Sequence, residues 1–419
     1  LTCQRRNRRT RRAEIEQPNA VGVTGGSQHV LVLNCGSSSV KAALVDPSTG
    51  ERTVTALAER VGTSDVTLQV RRGSDEPTVA PDGDSHSDIV GAILSALTEE
   101  ERADVSGVGH RVVHGGRRFA SSVPIDDDVM AALRELTDLA PLHLPANLAG
   151  IESAREQLPQ LTHVAVFDTA FHQTMPPVAY RYAVPTGWFE QHHVRRYGFH
   201  GTSHRYVSAR AAELLDRPLE SLAMVTLHLG NGCSAAAIRD GESVDTTMGL
   251  TPLEGLVMGT RSGDIDPGVL GYVADRLSMD LPGLLEVLNT KSGLLGLSGM
   301  SNDMRTLDTA ARRGSVDAAL AIEVFCYRAA KSVGALAVAL GRLDAVVFAG
   351  GIGENDASVR GAILARLGVL GIHADPDAND DHGRGSGGRI SSADSSAVAL
   401  VVPTDEELLI AQDAAELSR

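Results

Sequence analysis

Glycines, small hydroxyl residues and a lysine crowd the stretch Leu31–Asp46, LVLNCGSSSVKAALVD. Gly36 lets the backbone come close to a ligand, Ser37, Ser38 and Ser39 offer hydroxyls and N–H donors, and Lys41 adds a point charge. That inventory suits a polyphosphate, and taken alone it equally describes an ordinary Ser-rich hairpin. The pattern returns 194 residues on, in Val225–Asp240, VTLHLGNGCSAAAIRD, where Gly36 maps to Gly230 and Asp46 to Asp240. Strand, Gly turn, Ala-rich second strand and closing Asp all recur. Two such hairpins, one per half of the chain, imply two similar lobes facing each other across a nucleotide.

Other residues have types and settings that do chemistry. HVAVFD (163–168) reads as a buried strand ending in a carboxylate. Catalytic groups favour the carboxyl ends of strands in α/β sheets, so Asp168 is either an active-site residue or a helix N-cap. RRYGFHGTSH (195–204) packs aromatics, glycines and two histidines into a turn before an expected helix Tyr206–Leu215. The run 246–267 is too rich in Gly and Pro for a regular element and carries Arg261; a loop this long is usually functional. AVVFAGGIGEN (345–355) is a strand running into glycines at a helix N-terminus, an anion or ribose site, but it lacks the third glycine of a dinucleotide fingerprint. His110 and His114 are four apart, yet VGHRVVHGG (108–116) reads as a strand, not the helix that such a metal pair needs.

The elements that must hold these residues follow the order of the chain. Glu51–Val70 alternates like strands, Pro81–Asp88 is a polar loop and Ile89–Leu97 a helix. Amphipathic helices are expected over Asp126–Leu139 and Asn147–Leu158, bracketing the Pro-bounded loop APLHLPAN with His143. Asp317–Leu340 is a long apolar helix suited to a layer interface or a subunit contact, and Asp375–Arg389 an acidic, Gly-rich surface insertion. The last strand, Ala397–Pro403, leads to a closing helix. Thr404 with Glu407 three residues later forms a capping box that puts Glu406 in the first turn.

Composition narrows the class. A chain of 419 residues can bury two full cores, and a net charge of −15 argues against nucleic acid or an anionic membrane as the main partner. Only Lys41, Lys291 and Lys331 are lysines, so one of three falls in the first hairpin. Cys3, Cys35, Cys233 and Cys326 lie far apart with no CxxC, which indicates neither a disulfide framework nor a metal cluster and fits a reducing, cytoplasmic setting. No apolar run approaches the roughly 18 residues of a membrane span. Residues 1–28 begin with six arginines in twelve positions and no apolar core follows, so they are expected to be a disordered tail or an over-extended start outside the fold.

NCGSSSVK, GHRVVHGG, VFDTAFHQTMP, RRYGFHGTSH, HLGNG, GTRSGDIDP, GGIGEN and TDEELLIA, in this order, resemble the acetokinase family from about residue 30 to the end. The resemblance implies an α/β fold of two duplicated actin-like (ribonuclease H-like) lobes with the nucleotide in the cleft between them. It divides the chain into an N-terminal lobe, 29–170, completed by the helix 404–419, and a C-terminal nucleotide-binding lobe, 171–403. The implied reaction is reversible transfer of the ATP γ-phosphoryl group to acetate, giving acetyl phosphate and ADP, with Mg²⁺ (Mn²⁺ as the alternative) and a homodimer. By motif match Asn34 and Glu406 hold the metal, while Arg111 binds the acetate carboxylate. Val113, Leu142, Phe199 and Pro252 enclose its methyl group. Asp168, His200 and Arg261 are catalytic. Lys41, His228, Leu229, Gly230, Asn231, Gly232, Asp303, Met304, Arg305, Gly351, Ile352, Gly353, Glu354 and Asn355 contact ATP. Cys35 stands where Ala is usual, Asp405 where Asn is usual, and APLHLPAN replaces APLHNPPN.

The chemistry wants such residues. Two anions must be brought together, and phosphoryl transfer asks mainly for positioning and charge neutralisation. Acetate is already ionised at pH 7, so the forward reaction needs no general base, and Asp168 is expected to orient a partner rather than remove a proton. The competing readings are a sister kinase for propionate or butyrate, and an actin-like or chaperone-like ATPase that transfers phosphate to water. A carboxylate clamp argues against the second, and the absence of any Gly-Lys pair excludes a P-loop enzyme.

Overall fold

The computed structural model describes residues 29–75, 77–141 and 143–419; the N-terminal stretch 1–28, read above as a tail, lies outside the described residues. Two sheets are built the same way. The first contains β1 (His29–Cys35), β2 (Ser39–Val45), β3 (Arg52–Glu59), β4 (Thr67–Arg71), β5 (Thr78–Val79), β6 (Val105–Val112), β7 (Val123–Pro124) and β8 (His163–Phe167), in the order β5-β4-β3-β2-β1-β6-β8-β7. The second contains β9 (Ala223–Leu229), β10 (Cys233–Arg239), β11 (Glu242–Thr246), β12 (Ala345–Ala349) and β13 (Val398–Val401), in the order β11-β10-β9-β12-β13. In each, an antiparallel three-strand unit (β3-β2-β1; β11-β10-β9) continues into two parallel strands (β6 and β8; β12 and β13). The repeated hairpin of the sequence is therefore the repeated core of both sheets.

Ten helices matter here: α1 (His86–Ala96), α2 (Leu144–Gln157), α3 (Gly201–Leu214), α4 (Gly268–Leu277), α5 (Leu281–Thr290), α6 (Met304–Arg312), α7 (Val316–Leu340), α8 (Gly350–Asn355), α9 (Ala357–Arg366) and α10 (Glu406–Leu417). Strand alternation sends Leu31, Leu33, Val40, Ala42 and Leu44 to one face of the first sheet, against Ile89, Ile93 and Ala154 of α1 and α2. The opposite face, with Val30, Val32, Ala43, Val164 and Val166, packs on Ile410, Ala411 and Ala414 of α10. In the second sheet Val225, Leu227, Ala235 and Val346 face Phe325, Ala329 and Val333 of α7, and Met224, Ala236 and Val347 face Val207 and Ala211 of α3. Thr202 of α3 bonds Glu406 of α10, so these two helices are sandwiched between the sheets with their N-termini side by side. Close packing of α10 depends on missing side chains. A Cβ on Gly109 would lie 2.6 Å from Ile410 Cγ2 and 3.3 Å from Ala414 Cβ. Burying Ile410, 1% exposed, contributes about 1.5–3 kcal/mol to that seam.

Three helices begin earlier than the sequence reading places them. Helix α1 begins three residues early because Ser85 and Asp88 form a capping box. Helix α2 begins at Leu144, with His143 as N-cap and Pro145 in the first turn, so half of the expected loop is helical. Helix α3 begins at Gly201, five residues before Tyr206, for a reason given below. Asp375–Arg389 lies mostly at the surface, as expected, but it is anchored to the lobe. Asn379 in it is 5% exposed and accepts from Arg360 Nε at 2.9 Å, and the Arg360 guanidinium, fully buried, also donates to the Asn379 carbonyl at 2.8 Å and bonds His382 at 3.1 Å.

Candidate active site

Period-two alternation aims three polar side chains into one place. Val32, Gly109 and Val166 all face α10, and two residues on, at or just past the carboxyl ends of β1, β6 and β8, stand Asn34, Arg111 and Asp168. The three strands are parallel neighbours, so the three side chains meet. Arg111 grips Asp168 through Nε–H to Oδ1 at 2.9 Å and Nη2–H to Oδ2 at 2.6 Å, and its Nη1–H donates to Asn34 Oδ1 at 3.3 Å. Asp168 is 1% exposed. Burial pushes its carboxyl up, Arg111 pulls it down, and the Glu406 charge adds to the rise. The carboxylate caps no helix: the 3-10 turn that follows, Ala170–Thr174, has Thr169 as N-cap with no side-chain bond. Lys41 lies opposite Asn34 in the β1–β2 register.

Helix α10 brings Glu406 to this cluster, though not by the expected capping box. The N-cap is Asp405, whose side chain accepts from Leu408 N at 3.0 Å; Glu407 turns to Arg52 Nε at 2.8 Å, and Thr404 N donates to Glu354 Oε1 at 3.0 Å. Asp one residue later caps as well as Thr would, so the helix starts one position further on. Glu406 is thereby the first helical residue, and its Oε1 accepts from Thr202 Oγ1 at 2.7 Å. Burial would raise its carboxyl, but Arg111, His228, the Thr202 hydroxyl and Lys41 outweigh that and hold it below the usual range.

The second sheet supplies the facing wall. His228 on β9 and Ser234 on β10 are cross-strand partners on the α3 face. Just ahead of α3, His200 has φ 56°, left-handed geometry that is uncommon for a side-chain-bearing residue and strained. That turn starts the helix at once, and Gly201 can then touch the first sheet. Gly201 N donates to the Asp168 carbonyl at 2.8 Å, where a Cβ would sit 2.3 Å from that oxygen. The His200 and His228 rings stack at 4.3 Å, and burial lowers both imidazoles from their ordinary value, helped for His200 by His228 and Arg111. A Cβ on Gly232 would meet the His200 ring at 3.4 Å and Arg261 Nη1 at 3.7 Å, so the Gly230–Gly232 turn, His200 and Arg261 form one surface. Arg261 Nη1 donates to the Pro252 carbonyl at 2.9 Å.

The acetokinase family profile matches residues 29–412. This chain belongs to the acetokinase family. It is 55% identical to the acetate kinase of Deinococcus radiodurans over 386 residues, covering 92% of this chain and 97% of that one. It is 57% identical to the acetate kinase of Deinococcus deserti, over 91% and 96% of the two chains. Among solved structures, a propionate kinase from Francisella tularensis subsp. tularensis matches with a TM-score of 0.88 and 43% identity, covering 93% of this chain and all (100%) of that one. Porphyromonas gingivalis acetate kinase matches with 0.87 and 42%, covering 94% and 100%. The chain is thus a kinase, a phosphotransferase with two duplicated actin-like lobes.

Within this acetokinase chain not every residue expected at the site stands at the cluster. Val113 and Phe199 pack in one core, and Pro252 is tied to it through Arg261, whereas Leu142 lies outside the described residues. Leu229, also fully buried, belongs to that core, as does Ile352 at its edge. Asn231 accepts from Asn302 at 3.0 Å, next to Asp303, which caps α6 ahead of Met304 and holds the exposed Arg305 at 2.8 Å. Gly351, Gly353 and Asn355 belong to α8, where the Glu354 carboxylate is spent on Gly350 N at 2.9 Å and on Thr404 N. Asn147 was given no functional place in the sequence, and His143 only a place in the Pro-bounded loop. Asn147, 5% exposed, donates to the Cys35 carbonyl at 2.6 Å and accepts from Val113 N at 3.0 Å, pinning the ends of β1 and β6 to α2. The His143 imidazole is lowered from its ordinary value by burial and by the nearby Arg261 and Arg111 charges. Its place at an N-terminus flanked by prolines was the only available hint.

Proposed function

We propose that this chain is an acetate kinase that transfers the γ-phosphoryl group of ATP to acetate, reversibly, giving acetyl phosphate and ADP. The observation that carries the reading is the pair of Arg111 with the buried Asp168, facing the His200–His228 stack and Arg261 across the paired N-termini of α3 and α10. An ATPase transferring to water needs no such fixed guanidinium. Arg111 takes the acetate carboxylate, and Val113, Phe199 and Pro252 enclose the methyl group. Asp168 orients Arg111, since its two oxygens are both engaged there and the nucleophile arrives ionised. His200 and Arg261 meet charge developing on the transferring group, and the β1–β2 and β9–β10 turns with α8 cradle the nucleotide. The lobes 29–170 with 404–419, and 171–403, close over both substrates and exclude water.

Asn34 and Glu406 would hold Mg²⁺, or Mn²⁺ in its place. Both are hard oxygen donors tied to Arg111, and no group of three or more His, Cys, Asp or Glu suited to a metal occurs among the described residues. One or two protein oxygens, completed by phosphates and water, is the set Mg²⁺ prefers. The ion would offset charge on the phosphate oxygens. Glu406→Ala is accordingly expected to raise the Mg²⁺ needed for half-maximal activity and to lower kcat while circular dichroism stays native. An unchanged Mg²⁺ dependence would leave Glu406 with only a helix-dipole role, worth under about 1 kcal/mol.

A second reading, propionate as the acceptor, is favoured by one observation, the match to a propionate kinase at 43% identity. A panel of formate, acetate, propionate and butyrate with ATP and Mg²⁺, trapping the acyl phosphate with hydroxylamine, decides between them. A higher kcat/KM for propionate would replace acetate as the substrate. Val113→Ala is expected to raise the propionate-to-acetate ratio, within the roughly 10–200-fold one methylene commands. A ratio that does not move would remove Val113 from the pocket.

We infer a homodimer, as the family resemblance implies; α4 and α5 expose Tyr272 (61%), Leu277 (62%) and Leu281 (55%), large apolar side chains suited to a subunit contact. Residence in a reducing cytoplasm is supported by Cys35, Cys233 and Cys326, all buried and unpaired. No helix among the described residues is long and apolar enough to cross a membrane.

A further inference from the structure

His200 is one end of a buried hydrogen-bonded chain. Its Nδ1 lies 2.9 Å from Ser234 Oγ; the same hydroxyl lies 2.8 Å from His204 Nε2; and His204 Nδ1 lies 2.7 Å from Thr226 Oγ1. Ser234, His204 and Thr226 are all fully buried. Each hydroxyl has one proton and each neutral ring has one, so the direction of the chain is a matter of counting.

The Thr226 end fixes it. Among the described residues His204 Nδ1 is the only hydrogen-bond partner of the Thr226 hydroxyl. If His204 donated to Thr226, the Thr226 proton would be buried with no acceptor, a desolvated donor left unsatisfied. Thr226 O–H therefore donates to His204 Nδ1, and His204 carries its proton on Nε2 and donates it to Ser234 Oγ. Ser234 O–H, having accepted from His204, donates to His200 Nδ1. That leaves the His200 proton on Nε2. The Nε2 edge is turned to the nucleotide-side hairpin: a Cβ on Gly232 would lie 3.4 Å from His200 Nε2, and one on Gly230 3.8 Å from His228 Nε2. The neighbouring ring repeats the arrangement, with Ser203 Oγ 2.8 Å from His228 Nδ1.

We propose that Ser234, backed by His204 and Thr226, is a positioning residue that holds His200 as the neutral tautomer protonated on Nε2, so that an N–H donor and not a lone pair faces the phosphoryl group. The inference rests on the phosphoryl-transfer reading for its purpose, and on the hydrogen-bond chain for its existence. The opposite tautomer would turn a nitrogen lone pair toward phosphate oxygens. A protonated ring would put a desolvated cation 4.3 Å from the stacked His228 ring, beside the Arg111 and Arg261 charges. The relay supplies a donor that needs no proton exchange during the reaction.

The test reads the tautomer directly. In the full-length enzyme labelled with ¹⁵N-histidine, two-bond ¹H–¹⁵N correlations of His200, assigned by their loss in His200→Gln, are expected to show Nδ1 unprotonated and Nε2 protonated. Ser234→Ala is expected to mix the two tautomers. It is also expected to lower kcat by roughly 10–100-fold with little change in KM for acetate or ATP, and to cost nothing further in a His200→Ala background. Should Ser234→Ala fold poorly, the nearly isosteric Thr226→Val is expected to shift the same His200 signature in the same direction. A wild-type His200 protonated on Nδ1 overturns the proposal, as does a Ser234→Ala loss that persists in full without His200. Because the tautomer is read without substrate, a wild-type enzyme that forms no acyl phosphate would instead strike at the proposed reaction.

Discussion

Arg261→Ala is expected to lower kcat by about 10³-fold or more while leaving KM for acetate and ATP nearly unchanged. The side chain comes from the irregular run 246–267, and a single bond, Nη1–H to the Pro252 carbonyl at 2.9 Å, with a long contact to Met258 Sδ at 3.6 Å, fixes it. Its Nε–H and Nη2 donors have no partner among the described residues. Burial, which lowers the guanidinium from its ordinary value, and the like charge of Arg111 both act against it; being a guanidinium, it stays charged. A half-buried cation with spare donors, beside a glycine turn and the His200 ring, stabilises an anion more than a fully hydrated one would. The mutual repulsion of Arg111 and Arg261 falls as negative charge enters between them, so the gain is greatest where that charge is most concentrated. Arg261→Lys keeps the charge but loses the planar fork and should recover only part of the rate. Steady-state kinetics in both directions separate the terms. A change confined to KM would make Arg261 a ground-state binding residue.

Much of this site is legible because strands write their faces in period two. V-L-V-L-N, G-V-G-H-R and V-A-V-F-D each place a polar residue two positions beyond one that packs on α10, so Asn34, Arg111 and Asp168 can be read from alternation and strand ends. The duplication is legible for the same reason: both hairpins keep their apolar faces and their Gly turns. What is not legible depends on contacts far apart in the chain. Nothing local says that Arg111 and Asp168, 57 positions apart, form a bidentate pair, or that Asn147 bridges β1 and β6 from a helix. Helix α3 was read as starting at Tyr206 because GFHGTSH looks like a turn. Only the left-handed His200 and the contact of Gly201 with the Asp168 carbonyl let the helix begin there. The capping box failed by one residue because Asp405 competes for the same backbone N–H groups and Arg52 draws Glu407 away. Local capping rules rank candidates, and a tertiary ion pair chose among them.

Arg111→Ala is expected to do two separable things. Acetate KM should rise by roughly 10-fold or more, since a charge-assisted hydrogen bond contributes about 1.5–3 kcal/mol. Stability should also fall, because Asp168, 1% exposed, loses its bidentate partner and is left as a buried carboxylate. Breaking one side of a buried pair costs about 3–5 kcal/mol, more than the pair itself is worth against an apolar replacement. The orphaned carboxyl escapes by taking up a proton, and its pH dependence follows from that. In the single variant Asp168 is raised further above its ordinary value by burial with Arg111 no longer opposing, and a raised carboxyl destabilises the fold as pH climbs through its folded-state pKa. The variant should therefore gain stability toward acid relative to wild type, in which Arg111 keeps the carboxylate paired. Removing the carboxylate as well, in Arg111→Ala with Asp168→Ala, should restore part of the lost melting temperature while leaving the acetate KM as high as in Arg111→Ala. This non-additivity marks a pair in which Asp168 serves to hold Arg111. If the double variant is less stable than wild type by the sum of the two single losses, the two residues act independently and Asp168 does not serve to hold Arg111.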